Sequence, residues 1–160
     1  MKHKSFDNMQ CPIARSLEHV GEWWSMLIVR DALHGYTRFD QFERSLGIPP
    51  GMLARRLKSL VESGMLERHR YSAAPPRYEY IPTERCRDFE AVLDSLLAFG
   101  NSHFAPEGKS VVIVHSESGV EAEPVLMDVV SGRPMSDPVF RWAAGPAAVE
   151  EVRQRYAVKP

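Results

Sequence analysis

The sequence predicts an α+β fold that is mainly helical, and three observations predict it. Apolar residues recur at helical spacing over most of the chain up to Phe104, two alternating segments flank a proline-rich turn, and a Pro/Gly linker precedes a tail of different pattern. From Arg38 to Tyr80 the order is helix, tight turn, basic helix, basic hairpin, which is the order of a winged helix-turn-helix. Residues 1–104 are expected to form that domain together with helical dimerisation elements. Residues 105–160 are expected to be a small C-terminal extension with a β-hairpin and a terminal helix.

The pattern predicts a short helix over Ile13–Val20 and a second over Glu22–Leu33 that presents Trp24, Leu27, Ile28 and Leu33 inward. Thr37, with Asp40 three residues on, has the spacing of a capping box for a third helix, which carries Phe39, Phe42 and Leu46 on one face. Gly47 should end it in the left-handed conformation, and Ile48-Pro49-Pro50 leaves room only for a tight corner. The fourth helix, Pro50–Ser63, places Leu53, Leu57, Leu60 and Val61 on its core stripe. Gly51, Met52, Arg55, Lys58, Ser59 and Glu62 are then left on the outer face, with Ala54 and Arg56 on the flanks. Strands are expected over Leu66–Tyr71 and Arg77–Ile81 around a loop at Ser72–Pro76, with Arg68 and Arg70 on one face.

From Arg44 to Arg77, seven basic residues (Arg44, Arg55, Arg56, Lys58, Arg68, Arg70 and Arg77) stand against Glu62 and Glu67, a balance of +5 in a chain whose total is −1. Such local asymmetry suits the phosphates of a nucleic acid, because each phosphate neutralised releases condensed counterion. A charged face that is merely solvated has the same composition, and a winged helix that meets an acidic protein is the rival of another class. Salt-dependent binding to duplex DNA separates the two.

These residues also carry a resemblance. Cys11-Pro12, Trp24 through Leu33, Gly35, Arg38-Phe39, Gly47-Ile48, Leu53, Arg56-Leu57-Lys58, Gly64, Glu67-Arg68 and Pro75 through Tyr80 recur in the order and spacing of the HxlR family of bacterial transcriptional regulators. The chain resembles that family over roughly residues 8–104. The resemblance implies a homodimer acting on double-stranded DNA at a roughly palindromic operator. It also implies a recognition helix at about Pro50–Ser63 and a wing at Leu66–Ile81. The expected DNA-contacting residues are Arg38, Gly51, Met52, Arg55, Arg56, Lys58, Ser59, Arg68, Arg70 and Arg77. Pro49 stands where family members often have a capping serine.

After the wing, Thr83 should cap one helix running to about Phe104, with an apolar stripe of Phe89, Val92, Leu93, Leu96, Leu97 and Phe99. That stripe is broad for a single small domain, so pairing with a second copy is the economical explanation, with cover by the tail as the alternative. In the tail, Val111–His115 and Pro124–Val130 read as strands, each followed by a glycine turn at Gly119 and Gly132. Gly145-Pro146 opens a helix with Val149, Val152 and Tyr156 on one face. Longer family members carry His-x-x-Cys-Gly and Cys-x-x-Cys-Gly turns resembling a zinc ribbon. Here those positions read His115-Ser116-Glu117-Ser118-Gly119 and Asp128-Val129-Val130-Ser131-Gly132, so the tail resembles a degenerate, cysteine-free ribbon for which no metal is expected.

Cys11 is the candidate redox sensor. It precedes Pro12 at a helix start, where the macrodipole favours a reactive thiolate, and related proteins sense oxidants at this position. A small buried core cysteine is the alternative. Trp23, Trp24, Phe89 and Phe99 are candidate walls of a small-molecule effector pocket, although aromatics at this spacing also make ordinary cores. No nucleotide loop, nucleophile elbow or paired-histidine motif is present, so neither an enzyme nor a cofactor is expected. A thiol oxidoreductase built on Cys11 and His19 is the remaining catalytic alternative. The start Met1–Ser5 has no apolar segment behind it and no run approaches membrane-spanning length, so a cytoplasmic chain without a membrane partner is expected.

Overall fold

The computed structural model describes Phe6 and residues 9–157; the start Met1–Ser5 lies outside them. The chain divides into two compact units, one ending at Glu90 and the other beginning at Ala91. The first contains helices α1 (Pro12–Val20), α2 (Trp23–Leu33), α3 (Phe39–Leu46) and α4 (Pro50–Glu62), strands β1 (Leu66–Ala73) and β2 (Pro76–Pro82), and helix α5 (Glu84–Asp88). The second contains α6 (Glu90–His103, whose first residue closes the first unit), β3 (Ile113–Val114), β4 (Glu121–Ala122) and α7 (Glu150–Arg155). The observed class is the expected one, mainly helical with small antiparallel sheets.

Two residues separate α1 from α2 and three separate α3 from α4, so these helices pack as neighbours around one core. That core is built from Ile28 and Val29 of α2, Phe42 of α3, Ile48 in the corner, Leu53, Leu57 and Leu60 of α4, Leu66 of β1 and Cys86 of α5. Gly47 takes φ +60 as the left-handed cap of α3, which frees the chain to drive Ile48 inward one residue later. Pro50 starts α4 where a missing N–H costs nothing. Val61, expected in the core, is half-buried at its edge.

Three local readings are corrected. The cap of α3 is at Arg38, not Thr37, and the reciprocal acceptor is Gln41: its Oε1 receives the backbone N–H of Arg38 at 2.9 Å and of Thr37 at 3.0 Å. The helix expected from Thr83 to Phe104 is two helices. Thr83 does cap the first, accepting from the Cys86 N–H at 3.2 Å. At Phe89, however, the N–H turns to the Cys86 carbonyl three residues back, a tightened turn that ends α5. The wing strands run further than expected, through Ala73 and from Pro76, leaving only Ala74-Pro75, joined by a cis peptide, at the tip.

In the second unit the short ladder joins Ile113 with Ala122 and Val114 with Glu121, and an isolated bridge joins Met127 to Pro134. Pro124–Val130 is not a strand. Pro124 has no N–H to give, and the Asp128 carboxylate turns the chain by accepting from Ser131 N at 2.9 Å and from the Ser131 hydroxyl. Those bonds, the Ser131 hydroxyl foremost, hold the Asp128 carboxyl below its usual range. The terminal helix begins at Glu150, because Gly145–Ala148 forms a separate turn closed by Ala148 N–H to the Gly145 carbonyl at 3.0 Å.

Replacing Leu57, which is fully buried beneath α4, by alanine should lower the unfolding free energy by about 2–5 kcal/mol in a urea titration. A loss well under 1 kcal/mol would mean that α4 is not seated by this stripe.

Candidate nucleic-acid interface

The outward face of α4 follows from its inward one. With Leu53, Leu57 and Leu60 buried, Gly51, Arg55, Lys58 and Ser59 are exposed on the other side and Met52 is half-buried at the edge. Arg55 makes no ion pair among the described residues, and Lys58 reaches only the exposed Glu62, at 3.6 Å. Exposed pairs of this kind contribute little, so both cations remain available to a ligand.

Arg56 differs. Its guanidinium meets Glu22, at the start of α2, at 2.8 Å with the side chain only 21% exposed, and its Nε is buried without a hydrogen-bond partner. The sequence placed Arg56 on the flank of this helix and among the expected DNA contacts; the fold pairs it with Glu22 at the start of α2. The carboxyl end of α4 is fixed separately, since Arg85 donates to the Ser63 carbonyl at 2.6 Å and the Thr83 hydroxyl to the Gly64 carbonyl at 2.7 Å.

The wing stands beside α4 with its cations arranged on aromatic and carbonyl supports. Strands β1 and β2 pair with Arg68 opposite Tyr80 and Arg70 opposite Tyr78, and Tyr71 is the extra residue of a bulge. The Arg68 guanidinium lies over the Tyr78 ring at 4.5 Å. Arg70 donates to the carbonyls of Ser72 at 3.0 Å and Ala73 at 2.6 Å, binding the wing's own tip. Arg77, on β2 near that tip, is exposed and without an ion pair among the described residues.

Arg38 joins the group by a route the sequence did not indicate. Thr37–Arg38 runs against β2 as a rudimentary third strand, with Tyr80 N–H to the Thr37 carbonyl at 2.7 Å and a bridge from Arg38 to Glu79. The Arg38 guanidinium then lies over the Tyr71 ring at 4.9 Å. The tyrosine supports were missed in sequence: Tyr71 meets Arg38 from the bulge, and Tyr78 lies diagonally across the regular pairing from Arg68, and neither placement leaves a compositional mark. Tyr80 is half-buried, and its burial raises its pKa while Arg68 opposes the shift.

Cys11 caps α1 in an extended conformation, partly exposed, with Pro12 as the first helical residue. His19 is eight residues further along that helix, roughly 12 Å away at 1.5 Å per residue, so the two form no nucleophile–base pair within a chain. Cys86 is fully buried. A cavity of about 270 Å³ within the C-terminal unit is lined by Leu97, Asn101, Lys109, Ile113 and Glu121, and by none of the four aromatics expected to wall a pocket. Trp23 is instead 84% exposed. Among the described residues no group of three or more His, Cys, Asp or Glu is placed to hold a metal ion, and no helix is long and apolar enough to cross a membrane.

A two-helix unit with a basic outer face and an adjoining basic hairpin defines the class of winged helix-turn-helix transcriptional regulators. The chain belongs to the HxlR-like helix-turn-helix family, which matches residues 19–108. It is 42% identical over 116 residues to an uncharacterized HTH-type transcriptional regulator of Mycobacterium bovis, covering 72% of this chain and 73% of that one. The solved structure of a candidate transcription factor from Pseudomonas aeruginosa is 53% identical, with a TM-score of 0.66, and the match covers 91% of this chain and 99% of that one. The redox regulator HypR in its reduced form is 29% identical, with a TM-score of 0.54, over 57% of this chain and 92% of that one.

Burial raises the Cys86 thiol from 9.0 to about 11, against the opposing charge of Arg87. At pH 8 roughly one Cys86 in a thousand is then thiolate, so native protein should resist iodoacetamide at this residue while unfolded protein reacts. The native state also holds this proton more tightly than the unfolded chain. The stability it contributes is therefore complete at neutral pH and is lost as pH rises from 9.0 through about 11. Native alkylation of Cys86 at the rate of an ordinary thiol would contradict its burial.

Proposed function

We propose that the chain is a sequence-specific DNA-binding transcriptional regulator that acts as a homodimer on a roughly palindromic operator. The observation that carries this reading is the pairing of two adjacent cationic surfaces, the outer face of α4 and the wing. Arg55, Lys58, Ser59, Gly51 and Met52 would enter the major groove, while Arg38, Arg68, Arg70 and Arg77 would meet flanking phosphates. Arg56 is assigned to positioning α4. Stacked guanidiniums favour this role, because an arginine already held over a tyrosine loses less freedom when it meets a phosphate.

Within this reading, residues 1–104 serve DNA binding and dimerisation and 105–160 form the extension. The exposed apolar side chains of α1 (Ile13, Leu17) and α6 (Val92, Leu96, Phe99) support a dimer contact by those helices. The extension is read as a zinc ribbon that kept its turns and lost its thiolates. The two turns close alike: Gly119 N–H to the His115 carbonyl and Gly132 N–H to the Asp128 carbonyl are both 2.8 Å. The input is a redox or small-molecule signal, with Cys11 the candidate sensor. Its partial exposure at a helix start supports this, and HypR, a redox regulator, has the same fold.

Arg55→Ala should weaken operator binding by about 1–3 kcal/mol and relax preference at one base position, read by anisotropy against a panel of single-base variants. Arg77→Ala should instead weaken all duplexes alike and reduce the slope of log K against log salt by about one. If neither variant changes duplex binding while an acidic protein partner loses affinity, the surface is a protein-docking face.

If Cys11 senses oxidants, a diamide-type oxidant should release operator DNA from the wild type and leave Cys11→Ser bound in a band-shift titration. Equal affinity before and after complete oxidation of Cys11 would make the signal a small molecule.

A further inference from the structure

The cavity of the C-terminal unit, about 270 Å³, is walled by α6 on one side and by the β3–β4 hairpin with its flanking residues on the other. Its apolar wall is Leu97 of α6 together with Val112, Ile113 and Pro124. A cavity of about 150 Å³ holds a benzene ring, so this one has room for a ring and a short polar arm. It falls just below the ~300 Å³ at which pockets for drug-sized ligands begin. The polar wall is uneven in charge. Lys109 donates to Glu121 at 2.6 Å, and Glu123 lines the same cavity, so one ammonium stands against two carboxylates. The Lys109 pKa is raised, first by the hydrogen bond to Glu121, then by that carboxylate's charge, with the charge of Glu123 adding to both. A positive charge is therefore stabilised at this wall. Asn101 donates an amide N–H to the Val111 carbonyl at 2.9 Å, and Ser102 its hydroxyl proton to the Ala98 carbonyl at 2.9 Å. What both chiefly offer a ligand is an accepting oxygen.

We infer that this cavity binds a small amphipathic amine, its ammonium held by Glu121, Glu123 and the Asn101 and Ser102 oxygens, its apolar body laid against Leu97, Val112 and Ile113. The wall is one cation short of balance, and an ammonium supplies both that charge and the donors its acceptors lack. An anion would meet the surplus carboxylate. The site lies apart from the proposed dimer contact, although α6 serves both. At about 100° per residue, Leu97, Ala98, Asn101 and Ser102 fall on the side of α6 opposite Val92, Leu96 and Phe99. An amine between α6 and the hairpin thus acts on the back of the helix whose front is assigned to the partner copy. This gives the small-molecule input a chemistry, and it rests on the regulator reading only for the consequence at DNA. That consequence requires the amine to bind one dimer arrangement better than another.

The test titrates the full chain with benzylamine, benzyl alcohol and benzoate, three molecules of similar shape and different charge, and follows the Asn101 side-chain amide by NMR. Benzylamine should bind with a dissociation constant about tenfold below that of benzyl alcohol, and benzoate should not bind. The exposed carboxylates can be changed without touching the core, so Glu121→Gln/Glu123→Gln should abolish the preference for the amine and still bind benzyl alcohol as the wild type does. Lys109→Met, which releases Glu121 from its pair, should tighten benzylamine several-fold. Equal binding of all three molecules, a preference for benzoate, or no movement of the Asn101 resonance in millimolar benzylamine would each overturn the amine site. The same titration repeated with operator DNA separates the two readings. Amine binding with operator affinity unchanged would remove the site from the signal, whereas amine binding by a protein that holds no duplex would overturn the regulator reading and leave the site standing.

Discussion

The outward presentation of α4 depends on one packing constraint, the burial of Leu53, Leu57 and Leu60 against α2, α3 and the corner residue Ile48. A helix has no preferred face of its own. Once three leucines at helical spacing are removed from water, at about 1.5–3 kcal/mol each, its rotation is set and the remaining residues have no choice of side. Arg55, Lys58 and Ser59 are exposed because the leucines are not. The Arg56–Glu22 pair and the Arg85 and Thr83 bonds to the chain after α4 then fix where along its axis the helix lies.

The wing is held on different terms. It has little core of its own, and beyond Leu66 and Pro82 every residue of its strands is at least partly exposed. Backbone pairing, the short contact with Thr37–Arg38, and guanidiniums laid over tyrosines or bound to tip carbonyls maintain it. The arginines proposed to meet phosphates thus also contribute to the order of the wing. Such a ribbon tolerates substitutions at its tip better than α4 tolerates substitutions in its leucine stripe.

Legibility in the sequence tracked how local the determining physics is. Gly47, the proline corner and the leucine stripe of α4 were readable because each acts within a turn or two of the chain. The alternation of β1 and β2 was readable for the same reason, but not where they end, since Arg70 and the paired backbone carry the strands to Ala73 and Pro76. The cap on Gln41 and the break at Phe89 were missed because two acceptors competed at nearly equal spacing and the pattern does not rank them. The Arg56–Glu22 pair was not legible because the two residues are thirty-four apart in the chain. In the second unit, short strands and hydrogen-bonded turns replaced the longer strands that composition suggested. A segment with no buried side chain has no burial pattern to read.

The central claim is that α4 and the wing of each chain form one continuous duplex-binding surface. Chemical footprinting of the wild-type protein on its own upstream DNA tests this most directly. The account predicts guanine N7 protection in two successive major grooves about one helical turn, ~34 Å, apart, each flanked by backbone protection from the wing. Protection confined to the minor groove, or saturating binding to an acidic polypeptide with no footprint on any duplex, would contradict it.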